Sequence, residues 1–303
     1  MMNIVKTLKF DCALCTALNA NHGVSGHLYE VIEYFYYLRF MHNVNTCIVI
    51  PYEFSKEEFL KALKTKYVFT DEEIEIYLNN IIINNNIKVL ISNTVIFTDG
   101  SIFNCPDNDI QQMQRTYTVI AKNKIFIRCN NPETLDKADI VLQDTRLYND
   151  CKNSVHYIKK ILFDKLKKPT SNCPNTAMLY LTSNCRYLKY DELVNLKNKY
   201  NKYKFIVLSN KADYKIPEGF KLYEVPCQNM FDKFDTYIYT HLSGTCGNDC
   251  SPRFVPECYY FNKKVIFDID EMYPGLKVRV YDIETKGIES LHLTKDDPLI
   301  NYI

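Results

Sequence analysis

Tryptophan is absent from this 303-residue chain, glycine occurs only eight times, and the charges nearly cancel, with 37 Lys and Arg against 36 Asp and Glu. No run approaches the roughly 18 apolar residues of a membrane-crossing helix, so no span is expected. Near the N-terminus Asp11 interrupts the stretch where a secretory leader needs an unbroken apolar core, and secretion is not expected. The net charge of +1 is evenly spread: residues 1–168 carry 20 basic and 19 acidic side chains, and residues 169–303 carry 17 of each. A dedicated nucleic-acid binder is often visibly basic, so the balance argues against one while leaving room for a local basic face. Twelve cysteines scattered singly are expected to be reduced thiols in a cytoplasm rather than a disulfide framework. Cys12 and Cys15 form a C-x-x-C, but three residues apart on a strand they point to opposite faces. Cys246, Cys250 and Cys258 lack the spacing of a zinc site, so no metal is expected.

What remains is a globular composition, 47% hydrophobic and 24% charged, in a chain long enough for two domains. Its rhythm is strand, turn, helix, repeated. Strands are expected at 8–16, 45–51, 87–92, 95–99, 124–129 and 138–144, with helices at 27–42, 55–66 and 70–83. Ser55 with Glu58, and Thr70 with Glu73, carry the capping-box signature of a helix start. Residues 151–176 read as a lysine-rich amphipathic helix, with a solvated basic face, running into a Pro-containing linker. Beyond it the alternation restarts, with strands at 177–183, 204–210, 221–226, 236–242 and 264–269 and a helix at 190–200. Strands separated by helices imply parallel pairing, hence an α/β protein with two Rossmann-like lobes, 1–168 and 177–303. The functional cleft is expected between the lobes at the carboxyl ends of the strands, and the C-terminal tail can pack back on the first lobe.

The stretch "CGNDCSPRFVPECYYFNKKVIFDID", residues 246–270, follows a strand and holds an Arg and a Glu four positions apart. Pro252 suits the first turn of a short helix over about 252–262. Arg253 beside the exposed N–H groups of such a helix makes a seat for phosphate, and Glu257, on the same face, can accept the hydroxyls of a ribose. The alternative is that the two side chains simply pair across the helix turn.

The run from "FDTYIYTHL" through "DCSPRFVPEC" to "FNKKVIFD", about residues 235–268, resembles the donor-binding region of nucleotide-sugar glycosyltransferases of GT-B fold, in particular phage and viral members. The resemblance implies a glycosyltransferase that moves a sugar from a nucleoside diphosphate sugar to an acceptor hydroxyl. It also implies Glu257 as ribose ligand, with Arg253 and Ser251 as phosphate contacts. The family's pattern of two glutamates eight positions apart is broken, since position 249 is Asp249. The loop after the first strand of the second lobe commonly faces the diphosphate in this family, which assigns Ser183, Asn184, Arg186 and Lys189 to donor binding, against the alternative of a solvated loop. In the first lobe Gly23 lets the backbone approach the donor. His22, whose ordinary pKa is near neutrality, is the candidate acid–base group, and Asp99 the second. Asp99 with Gly100 also reads as the turn of a β-hairpin. No cofactor and no catalytic metal are expected, because helix ends and basic side chains stabilise the leaving diphosphate. Among the acceptors this family implies is a hydroxymethylated pyrimidine in DNA, with a protein, a lipid or a glycan fitting equally well, in a host cytoplasm if the chain is viral. Two other classes stay open: a non-catalytic nucleotide-sugar binding protein, and a different sugar-nucleotide enzyme such as an epimerase.

Overall fold

A computed structural model describes residues 7–15, 26–50, 55–83, 89–98, 118–128, 138–181, 188–209, 213–240 and 253–303. The chain divides into two compact units. Unit 1 comprises Met1–Leu60, Phe69–Leu162 and Leu291–Ile303; unit 2 comprises Lys61–Val68 and Phe163–Ser290.

Unit 1 is built on seven strands: β1 (Thr7–Cys15), β2 (Thr46–Ile50), β3 (Ile81–Ile83), β4 (Val89–Phe97), β5 (Thr118–Ile127), β6 (Ile140–Gln143) and β7 (Ser154–His156). Their order is β3-β2-β1-β4-β5-β6-β7, and every neighbouring pair is parallel. Such a sheet is covered on both faces, so its strands are continuously apolar rather than alternating, as in the fully buried "TCIVI" of β2. The helices are α1 (Gly26–Tyr36), which runs into a π-helical turn at Tyr37–Met41, the first part of α2 (Lys56–Lys66), whose residues from Lys61 on are counted with unit 2, and α3 (Asp71–Asn80). Both expected capping boxes form. Glu58 N–H donates to Ser55 Oγ at 3.0 Å and Ser55 N–H to Glu58 Oε2 at 3.2 Å, with Thr70 and Glu73 doing the same at 3.1 and 2.7 Å. The aromatic face of α1 packs on α3, with the Phe35 and Tyr77 rings 4.6 Å apart and Tyr77 Oη donating to Ile32 O at 2.7 Å.

Unit 2 has five parallel strands, β8 (Thr176–Leu181), β9 (Lys204–Ser209), β10 (Phe220–Glu224), β11 (Thr236–Thr240) and β12 (Lys264–Asp268), in the order β10-β9-β8-β11-β12. Its helices are α4 (Tyr190–Lys199), α5 (Phe254–Tyr260) and α6 (Pro274–Lys286). In both sheets the strand order reverses once, between β1 and β4 and between β8 and β11. Doubly wound sheets bind ligands at the carboxyl ends of the strands flanking that point.

Four sequence expectations are corrected. Residues 151–168 form no α-helix: Ser154–His156 is the edge strand β7, and Tyr157, Lys159, Ile161, Leu162, Phe163 and Leu166 are all buried. Their apolar spacing follows no single helical face, so a solvated basic face does not exist there. The helix expected over 70–83 ends at Asn80, because the β-branched run Ile81–Ile83 pairs beside β2. The strands expected at 87–92 and 95–99 are one strand, β4, and both its edges are occupied by β1 and β5, which leaves no place for a hairpin partner. The short helix after β11, Phe254–Tyr260, ends two residues before the expected 262, and Pro252 lies outside the described residues. Helix α6 had no expectation, since its apolar positions Leu276, Val280 and Ile283 share the buried side with Arg279 and Asp282.

The last thirteen residues return to unit 1. Ile161 N–H donates to Leu291 O and Leu293 N–H to Ile161 O, both at 2.8 Å. Asp297 is buried at the centre of this contact. Its Oδ1 accepts from Leu299 N–H at 3.0 Å and from Tyr157 Oη at 3.2 Å, while its carbonyl accepts from Tyr37 Oη at 2.5 Å. Burial raises the Asp297 carboxyl above its ordinary 3.8, against the opposing pull of the Leu299 amide, Lys160 and Tyr157. A raised group holds its proton more firmly when folded, so its stabilising contribution is full below the unfolded value and is lost as pH rises through the folded one. Asp297→Asn is therefore expected to flatten this part of the profile. As pH rises above the unfolded value the wild-type urea midpoint should fall relative to that of the variant.

Candidate functional site

In unit 2, β11 leads to α5, and α5 carries the Arg and Glu singled out in the sequence. The helix is buried almost all round through Phe254, Val255, Pro256, Glu257 and Cys258. Phe254 fixes its start: its ring stacks on Tyr180 of β8 at 4.6 Å and on Phe231 at 5.4 Å, and meets Tyr237 of β11 edge-on at 4.9 Å. Tyr260 fixes its end by stacking on Phe163 at 4.5 Å. With seven residues the helix has about two turns, so charged side chains rather than its axial dipole set the local field.

Glu257 is 0% exposed. Its Oε1 accepts from Arg253 Nε at 2.7 Å and from Lys66 Nζ at 2.7 Å, and the side chains of both cations are only 12% exposed. Oε2 has no hydrogen-bond partner among the described residues. The carboxylate is thus charge-compensated on one oxygen and unsatisfied on the other, and a buried acceptor left unpaired costs about 1–3 kcal/mol. Pairing of Arg253 with Glu257 across the turn is present, and a third side chain joins it. Lys66 is the last residue of α2, and its backbone is clamped: Lys167 N–H donates to Lys66 O at 2.9 Å, Val68 N–H to Lys165 O at 2.7 Å, and Tyr67 bridges Leu166 antiparallel. Sequence reasoning missed Lys66, because nothing local to "KALKTKYVF" points to an acid so far along the chain. Next to Glu257, burial and then the carboxylate charge push the Cys258 thiol well above its ordinary value, so that sulfur is a core group rather than a nucleophile.

Of the other expected donor-site residues, Ser183, Asn184, Arg186 and Ser251 lie outside the described residues, as do His22, Gly23 and Asp99 of the first lobe. Lys189 is exposed at the N-cap of α4, where its backbone N–H donates to Glu192 Oε2 at 2.6 Å.

Unit 1 has a charged cluster at the corresponding edge of its own sheet, in the first turns of α1. Lys159 Nζ donates to both oxygens of Glu30, at 2.8 and 2.9 Å, and His27 Nδ1 is 3.5 Å from Glu30 Oε2. Burial alone would raise the Glu30 carboxyl, but the charge of Lys159, helped by His27, outweighs it and holds the group at about 2. At the end of β5, Arg128 is buried against Gln143 (2.7 Å) and bidentate on Asp150 (2.6 and 3.0 Å), with Tyr148 stacked 3.8 Å from its guanidinium. Cys12, Cys15 and Cys47 are buried thiols, with burial pushing Cys15 up to about 12. Among the described residues no group of three or more His, Cys, Asp and Glu side chains is arranged to hold a metal, and no described helix is long and apolar enough to cross a membrane.

No protein-family model matches the chain, and a search of curated proteins returns no match. Among solved structures, HepE of Anabaena in complex with UDP-glucose aligns over 95% of this chain and 94% of its own, with 7% identity and a TM-score of 0.52. The same protein in complex with UDP and glucose aligns over 92% of each chain, with 8% identity and a TM-score of 0.51. At this identity the likeness is one of fold: parallel-sheet α/β architecture along nearly the whole chain.

Two stability outcomes follow from this geometry. Phe254→Ala removes the ring that seats α5 and is expected to cost about 3–5 kcal/mol in urea unfolding. For Glu30 the displacement from 4.5 to about 2 corresponds to roughly 3 kcal/mol at about 1.4 kcal/mol per pH unit. That contribution is present above the unfolded value and is lost as pH falls through the folded one. Lys159→Met should destabilise by about 3–5 kcal/mol at neutral pH by leaving a buried acid unpaired. The deficit should shrink toward about pH 3 as Glu30 takes up a proton, read as the urea midpoint at each pH.

Proposed function

We propose that the chain is a glycosyltransferase that moves a sugar from a nucleoside diphosphate sugar to an acceptor hydroxyl. The observation that carries this reading is Glu257, a fully buried carboxylate on the helix that follows β11 in a doubly wound sheet, with Oε2 lacking a donor among the described residues. A ribose brings two hydroxyl donors, and the diphosphate attached to it brings the negative charge that suits Arg253. The fold shared with HepE, a protein solved with UDP-glucose bound, supports a nucleotide sugar as the ligand and a uridine nucleotide as the first to try.

In this reading unit 2 binds the donor and unit 1 the acceptor. Glu257 is assigned to the ribose, Arg253, Ser251, Ser183, Asn184, Arg186 and Lys189 to the diphosphate, and Gly23 to the donor. The acceptor oxygen bonds to the anomeric carbon as the bond from that carbon to the diphosphate oxygen breaks. The diphosphate leaves with the electron pair, stabilised by the basic side chains without a metal. His22 or Asp99 takes the acceptor proton if configuration inverts. The acceptor is a hydroxyl compound, and a hydroxymethylated pyrimidine in DNA is one class to include.

Mass spectrometry of nucleotide sugars incubated with the protein, with and without acceptor pools, tests the reaction. Transfer to an acceptor supports it. Binding without turnover would make the chain a nucleotide-sugar sequestering protein, and an altered nucleotide sugar without acceptor would make it an epimerase-like enzyme. Glu257→Ala should lose the thermal shift for every sugar carried on a given nucleotide, and an unchanged shift would remove Glu257 from the site.

A further inference from the structure

The two oxygens of Glu257 have opposite fates. Oε1 takes Lys66 and Arg253, each at 2.7 Å, and Oε2 takes nothing among the described residues although the side chain is 0% exposed. We infer that Lys66 is a positioning residue of the nucleotide site: with Arg253 it pins Oε1, so that Oε2 is presented to the ribose hydroxyls of a nucleoside diphosphate. The inference rests on the nucleotide-sugar reading above and adds to it a residue that no sequence feature marks.

The terminal torsion of a glutamate is broad, so a carboxylate held by one donor swings. Two donors converging on the same oxygen from different elements remove that freedom. Arg253 comes from the turn of helix that carries Glu257 itself. Lys66 comes from the end of α2, where the Lys66–Val68 backbone is tied to Lys165–Lys167 by hydrogen bonds of 2.9 and 2.7 Å. Helix α5 is in turn immobilised by Phe254 and Tyr260. Both backbones behind the ion pair are therefore fixed, which is what an accurately aimed acceptor requires. An oxygen with two lone pairs can accept from both hydroxyls of a ribose.

The test compares UDP with 2′-deoxy-UDP by calorimetry on the full chain, as wild type, Lys66→Met, Lys66→Gln and Lys66→Arg. Wild type should prefer the ribonucleotide by about tenfold or more, the size of one hydrogen bond to a charged acceptor. Lys66→Met, or Lys66→Gln should the first fail to fold, is expected to reduce that preference to about threefold or less, and Lys66→Arg to restore it. A preference unchanged in the uncharged variants would overturn the inference. So would equal weakening of both nucleotides with the ratio intact, which would make Lys66 a phosphate contact or a structural ion pair. A wild type that binds neither nucleotide would instead overturn the nucleotide reading itself, and the inference with it.

Discussion

A fully buried carboxylate flanked by two cations is the constraint around which unit 2 is arranged. Removing Glu257 from water is tolerable only because Lys66 and Arg253 meet it at hydrogen-bond distance, and each of those must itself be held. The holding is done by different means on the two sides. Around α5 it is aromatic packing, with Phe254 among Tyr180, Phe231 and Tyr237. Around Lys66 it is backbone hydrogen bonding to Lys165–Lys167. Hydrophobic burial sets where the helix lies, and the ion pairs then set how one side chain on it is oriented.

Much of the fold was legible because α/β architecture writes itself in local pattern. Apolar β-branched runs such as "TCIVI" and "KFIVLS" announce strands buried on both faces, and Ser55/Glu58 and Thr70/Glu73 announce helix starts. The failures have physical reasons. In residues 151–168 the lysine spacing suggested a solvated face, but Lys159 is buried against Glu30, a partner on a helix more than a hundred positions away. In α6 a buried Arg279 and Asp282 broke up the apolar stripe that would have revealed the helix. Ile81–Ile83 followed a helical pattern without a break, and only its pairing with β2 made it a strand.

The candidate site was legible in part. Arg253 and Glu257 are four residues apart, so their meeting is a property of any helix turn. The arrival of Lys66, and the pairing of Glu30 with Lys159, are tertiary facts without a local signature. Contacts of this kind emerge only once the parallel sheets have been assembled.

Unit 1 is not a continuous piece of chain: it closes only when Leu291–Ile303 comes back to it, and unit 2 likewise takes in Lys61–Val68 from far upstream. A dissection at the obvious proline-bearing linker would therefore yield two incomplete bodies. The first would lack the Leu291 and Leu293 backbone bonds and the buried Asp297, and the second would lack the ammonium group that meets Glu257. Ribosomal synthesis meets the same restriction, since the amino-terminal body cannot acquire its full set of contacts until Leu291–Ile303 has been polymerised.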